Sequence, residues 1–208
     1  MDGLGLLGFA ATVALISLSG VMAPGPVTAL VVARGARSPH AGAWVAAGHA
    51  LVELPLMGLV YLGAGLVFER EPVRVAVGLL GGMALLAMGA GMLRSRGTES
   101  RADPTERSPL LAGAVLSAAN PYFLVWWATA GAALMSRSLV FGALGFLLLA
   151  TVHLSCDLGW CWSLSALTFR GGKFFGPRLQ RGVLLVSGLV LLYFGGYFLI
   201  GAGLSWWR

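Results

Sequence analysis

The chain has 208 residues, 58% hydrophobic and only 11% charged, with a mean hydropathy of +0.85. These values lie outside the soluble range and point to a chain that lives in lipid. The net charge of +6 invites a nucleic-acid reading, but all fourteen Lys and Arg lie outside the apolar interiors, so the basicity is a topology signal.

Six nearly charge-free runs follow one another, at roughly 3–33, 41–68, 75–93, 108–136, 138–169 and 182–207. Each can supply the ~20 helical residues that cross about 30 Å of hydrocarbon. Barrel strands would instead alternate over ~10 residues, a pattern the sequence lacks. The fold class expected is an all-α integral membrane protein with six transmembrane helices, in one transmembrane domain over 1–208. Ten basic residues fall in alternate loops, around 34–37, 94–107 and 170–181, against four in the others. The positive-inside bias puts the ten in the cytoplasm of a multi-pass cell-membrane protein, with both termini outside.

The first run has no basic n-region and is too long for a signal h-region. It is interrupted by Ala23-Pro24-Gly25-Pro26, where two prolines remove two amide donors and glycine frees the backbone, so a straight helix is not expected. In lipid such a break survives where protein or a water-filled cavity satisfies it. The second run carries His49, Glu53 and Pro55, and the third has Gly78 and Gly82 at GxxxG spacing. That spacing suits close helix contact, within the chain or in a homo-oligomer. Residues 95–108, rich in charge, Ser and Pro, read as a flexible cytoplasmic linker. The fourth run breaks at Asn120-Pro121, the fifth carries His153 and Asp157, and the sixth ends in the interfacial anchor Trp206-Trp207-Arg208. Cys156 and Cys161, about 140° apart on a helix, cannot bridge each other there, and no CxxC occurs, so both read as structural.

The halves on either side of the linker, about 3–94 and 109–208, match in kind. Each has a proline break in its first helix and a His-x-x-x-acid pair in its second. Three spans per half make the second half enter from the opposite side. That is an inverted repeat, which places a transporter's site at the midplane between repeats.

His49 with Glu53, and His153 with Asp157, sit four residues apart. Four steps of 100° leave each pair about 40° apart on one helix face. An acid at the bilayer centre costs about 2.5–3.5 kcal/mol on insertion scales. No Lys or Arg lies within the runs to offset it. If the helices bring both pairs together, Glu53 and Asp157 become proton-coupling or ion-binding acids, with His49 and His153 as partners. The bland alternative is a set of satisfied polar contacts gluing helices. His40, beside Pro39 in a cytoplasmic loop, is expected to be solvated.

Ala23-Pro24-Gly25-Pro26 followed by Arg34-Gly35, and Asn120-Pro121-Tyr122 followed by Trp126-Trp127, resemble the first- and fourth-helix motifs of LysE-type translocators. The resemblance spans nearly the whole chain. It implies export of amino acids or other small solutes driven by the proton gradient. It also implies that Pro24, Gly25, Pro26, Asn120 and Pro121 form helix breaks whose freed backbone contacts substrate. Of Trp126 and Trp127, about 100° apart, at most one should line a pathway.

The function expected is therefore a proton-coupled exporter of amino acids or related small metabolites, with membrane lipid and protons as its other partners and no cofactor. A divalent heavy-metal exporter is the alternative, using His49, Glu53, His153 and Asp157 as a four-ligand set. A non-transporting membrane scaffold would be favoured if no pocket joined those four residues. An enzyme is not expected, because neither HExxH nor a nucleophile elbow is present.

Overall fold

The computed structural model describes residues 3–64, 70–94 and 108–206, and among these every regular element is helical. In chain order they are α1 (Gly3–Val21), α2 (Pro26–Gly35), α3 (Ala41–Leu59, continued by a π turn over Val60–Ala64), α4 (Glu71–Arg94) and α5 (Pro109–Ala118). Then follow α6 (Pro121–Trp126), a π turn over Trp127–Gly131, α7 (Ala132–Ser138), a 3-10 turn over Leu139–Phe141 and α8 (Gly142–Trp206). The polar linker at 95–107 and the anchor residues Trp207 and Arg208 lie outside the described residues.

Four of these stretches are long and apolar enough to cross a membrane: Ala41–Gly63, Glu71–Arg94, Tyr122–Gly171 and Arg181–Gly203. A fifth arises if Gly5–Val21 and Pro26–Gly35, bent by 78° at their junction, are taken as one. The chain is thus an all-helical, multi-pass membrane protein, with four to five candidate spans where the sequence suggested six. The difference lies in Tyr122–Gly171, where two expected spans run together over 50 residues. Straight, that stretch would be about 75 Å long. Gly142 interrupts it, with a φ of 60° that residues bearing a Cβ rarely adopt. Three residues on, Gly145 packs so tightly that a Cβ would collide with the Ser138 carbonyl.

α8 is not straight either. Asp157 and Leu191 line one cavity, whereas a straight helix would hold them about 50 Å apart. The run folds back between them, giving a first arm that reaches Gly171 and a second that starts at Arg181.

Both proline motifs break helices as their chemistry demands. α1 stops at Val21, Gly25 is fully extended, and Pro26 opens α2, where its missing amide costs nothing. α5 stops at Ala118. Asn120 caps α6 by accepting from the Tyr122 amide at 3.1 Å, with Pro121 in the first turn.

Close backbone approach holds the bundle where lipid supplies no hydrophobic drive. On α3 and α5, a Cβ at Gly48 would collide with the Leu110 carbonyl, and one at Gly113 with that of Val45. The GxxxG face of α4 meets the second arm of α8 within the chain: a Cβ at Gly82 would stand 2.9 Å from the Gly195 carbonyl. Between these contacts lie two apolar clusters, a larger one around Phe9, Met57, Phe123, Trp127 and Leu149 and a smaller one of Val31, Val45, Ala46 and Cys161. The polar pairs sit between them.

Gly48→Ala should destabilise the detergent-solubilised protein by about 1–3 kcal/mol through overpacking against α5. Gly58→Ala, on the same helix with nothing within 4 Å of the added Cβ, should leave the thermal midpoint unchanged or raise it. Thermal melts followed by circular dichroism make the comparison.

Candidate functional site

α3 brings His49 and Glu53 to its inner face, and the first arm of α8 brings His153 and Asp157 to meet them. Glu53 is 1% exposed. Three nitrogens converge on its Oε1: Trp127 Nε1 donates at 2.9 Å, His153 Nε2 lies at 3.0 Å and His49 Nε2 at 3.3 Å. Asp157, also buried, has its Oδ2 3.4 Å from the same His153 nitrogen. Glu53 Oε2 and Asp157 Oδ2 are sealed from solvent without a hydrogen-bond partner.

The far side of each imidazole is held by a buried serine from the opposite half of the chain. His49 Nδ1 lies 2.6 Å from Ser117 Oγ on α5, and His153 Nδ1 lies 2.7 Å from Ser17 Oγ on α1. The two serines differ in what they offer. Ser117 donates its one hydrogen to the Gly113 carbonyl at 2.7 Å, so toward His49 it can only accept, and His49 Nδ1 must carry a proton. Ser17 has no other hydrogen-bond partner among the described residues and can donate to His153 Nδ1, leaving an Nε2–H for Glu53. With Nδ1 protonated, His49 can donate to Glu53 from Nε2 only after taking up a second proton.

Aromatic rings brace this cluster. Trp126 stacks on His153 with centroids 5.0 Å apart, and Phe123 sets its edge against His49 at 4.9 Å. Trp127 reaches Glu53 from the π turn Trp127–Gly131, its ring lying over Gly131 where a Cβ would overlap it. A π turn inserts one extra residue and re-aims the side chains around it.

All four ionisable residues line a single cavity of about 90 Å³, room for several waters or one small metabolite. Gly25 and Pro26 from the first helix break and Asn120 from the second share its walls, with Tyr122, Phe123, Trp126 and Trp160. No Lys or Arg does. The condition that would have favoured a scaffold, pairs with no shared pocket, is therefore not met.

The remaining sequence candidates fall into place around it. Pro24 shapes the first break without lining the cavity, and Pro121 opens α6. Trp126 is a wall residue, whereas Trp127 lies behind the wall, bonded to Glu53. His40 is exposed and accepts from Trp162 Nε1 at 3.3 Å. Both cysteines are free, Cys161 buried and Cys156 half-buried. Of the four residues of the metal alternative, ligating atoms of His49, Glu53 and Asp157 lie within 4.8 Å of one another, and His153 Nε2 lies 3.0 Å from Glu53 and 3.4 Å from Asp157. Sequence reasoning missed Ser17, Ser117 and Trp160. The serines left a signal, since each is a hydroxyl a turn or two before a proline break within an apolar run.

A model of the LysE type translocator family matches residues 18–202. The chain is similar to a protein of Bacillus subtilis (strain 168) named "Putative amino acid efflux protein YcgF", at 24% identity over 183 residues, covering 84% of this chain and 87% of that one. No solved structure matches significantly.

Trp127→Phe should cost about 1–3 kcal/mol, the range for losing a hydrogen bond to a charged group or leaving a buried acceptor without its donor. The double mutant Trp127→Phe, Glu53→Gln should lose less than the sum of its single mutants, because both act on one bond. Thermal unfolding in detergent reads both values.

Proposed function

We propose, from the premise that this chain belongs to the LysE type translocator family, that it is a proton-coupled exporter of amino acids or related small metabolites. The observation that carries the reading is the single cavity in which two acids, two imidazoles and the open ends of two broken helices meet. The printed name of the Bacillus subtilis relative, an amino acid efflux protein, points the same way.

In this reading the substrate ammonium faces Glu53 and Asp157. Its carboxylate is favoured by the N-terminus of α2, where first-turn amides lack intrahelical acceptors and the helix dipole is positive. The transported proton is taken up by the acids Glu53 and Asp157, with His49 and His153 beside them as partners. Substrate and proton compete for the same carboxylates, which links inward proton movement to outward substrate movement.

The architecture we propose is two inverted three-helix repeats in the plasma membrane, with both termini outside. It rests on the crossed pairs: His49 of the first half with Ser117 of the second, and His153 of the second with Ser17 of the first. In this arrangement Tyr122–Gly171 makes two crossings, turning back at Gly142.

The near approach of ligating atoms from His49, Glu53 and Asp157 also supports a second reading, in which the cargo is a divalent metal ion. One experiment separates the two. In proteoliposomes carrying a pH gradient, Glu53→Gln and Asp157→Asn should each lower amino acid flux at least tenfold while eluting as the wild type does. Undiminished flux in both variants would remove the acids from the mechanism. Flux of Zn²⁺ but of no amino acid would establish the metal reading.

A further inference from the structure

We infer that the ligand is gripped at two atoms, Asp157 Oδ1 and Asn120 Nδ2, so that the cavity selects molecules carrying both an ammonium and a carboxylate. This rests on the exporter reading above and deepens it, by separating the groups that touch the ligand from those that support the site. Most polar atoms of the cavity wall are already engaged or closed off. Glu53 Oε1 is ringed by three nitrogens, and its Oε2 is sealed from solvent, as is the Trp160 nitrogen. Both nitrogens of His153 are bonded, Ser117 holds His49 Nδ1, and Thr28 donates to the Ala23 carbonyl at 3.2 Å. Asp157 differs. Its Oδ2 is closed off beside His153, whereas Oδ1 has no hydrogen-bond partner among the described residues and stays open to solvent.

Asn120 is the counterpart on the donor side. It is 7% exposed and stands in the cavity wall at the second helix break. Its Oδ1 accepts from the Tyr122 amide at 3.1 Å, which settles which end of the side chain is oxygen and which is nitrogen. Because the amide group is planar, that bond also aims Nδ2. This nitrogen carries two hydrogens, has no acceptor among the described residues and is open to solvent. A residue more than nine-tenths buried thus presents an unused donor. Tyr122 and Trp126, half-buried on α6, leave an O–H and an N–H unpaired as well. The first turn of α2, with Val27 and Thr28 in the same wall, adds backbone amides. A simple amine answers Asp157 and leaves these donors idle, and so does a bare metal ion. An anion without an ammonium meets Glu53 and Asp157 as like charges. An amino acid answers both sides.

The test uses proteoliposomes and two probes: whichever radiolabelled standard amino acid the wild type carries fastest, and the amine left when its carboxylate is removed, used as a competitor. Asn120→Asp keeps the oxygen that caps α6 and replaces the open donor by an acceptor. It should raise the KM for the amino acid about tenfold or more and leave the inhibition constant of the amine unchanged or lower. Retained amine binding doubles as the folding control. If that variant does not fold, Asn120→Ser, which also caps, takes its place with the same expectation. Asp157→Asn should weaken both probes about tenfold, because both carry the ammonium. An unchanged amino acid KM in the Asn120 variant, equal weakening of both probes there, or an amine that does not compete with the wild type would overturn the inference while leaving the exporter reading intact. Failure of the wild type to carry any amino acid would overturn the exporter reading and this inference with it.

Discussion

A carboxylate sunk into a membrane-spanning chain has to be answered, and among the described residues no Lys or Arg lines the cavity to do it. The answer is assembled from weaker parts. An indole, two imidazoles and, behind them, two serines converge on one oxygen of Glu53. None of these groups carries a fixed charge, so the balance at Glu53 depends on where protons and ligands sit. A guanidinium in the same place would give a permanent ion pair and a site indifferent to both. The rest of the structure serves this arrangement. α3 and α8 supply the paired side chains, α1 and α5 the hydroxyls, and the π turn after α6 the indole.

The helix breaks and the glycine contacts belong to the same constraint. Irregular backbone inside a membrane is tolerated where it faces a cavity or is buried in protein, and Gly25 and Asn120 both stand in the cavity wall. The close passage of α3 over α5 at Gly48 and Gly113 sets the helices near enough for the neighbouring His49 to reach Ser117. A side chain on either glycine would widen that gap. The polar bond and the packing defect it would suffer are thus one feature seen from two sides.

Much of this was legible from residue types and spacing. Apolar runs announced a membrane bundle, the prolines marked both breaks, and the two acid–imidazole pairs stood out as the only such groups inside the runs. The number of spans was not legible in the same way, because hydropathy sees length and charge but not direction. Across 122–171 it cannot tell a turn at Gly142 from a continuing helix. Nor could spacing reveal that Trp127 rather than Trp126 bonds Glu53, since the π turn shifts the register by a residue that a 3.6-residue period does not anticipate. Ser17 and Ser117 escaped for a related reason. Each is ordinary in a membrane helix until a partner from a distant part of the chain gives it meaning.

The crossed pairing of hydroxyls and imidazoles carries a mechanical corollary. Each half of the chain grips a ring belonging to the other, so a displacement that parts the halves at both places forfeits two hydrogen bonds to imidazoles, whereas a tilt about one contact keeps that ring held and frees the other. A freed ring leaves a buried nitrogen without its hydroxyl, a cost that weighs against such a pose unless water or a ligand takes the place of the serine.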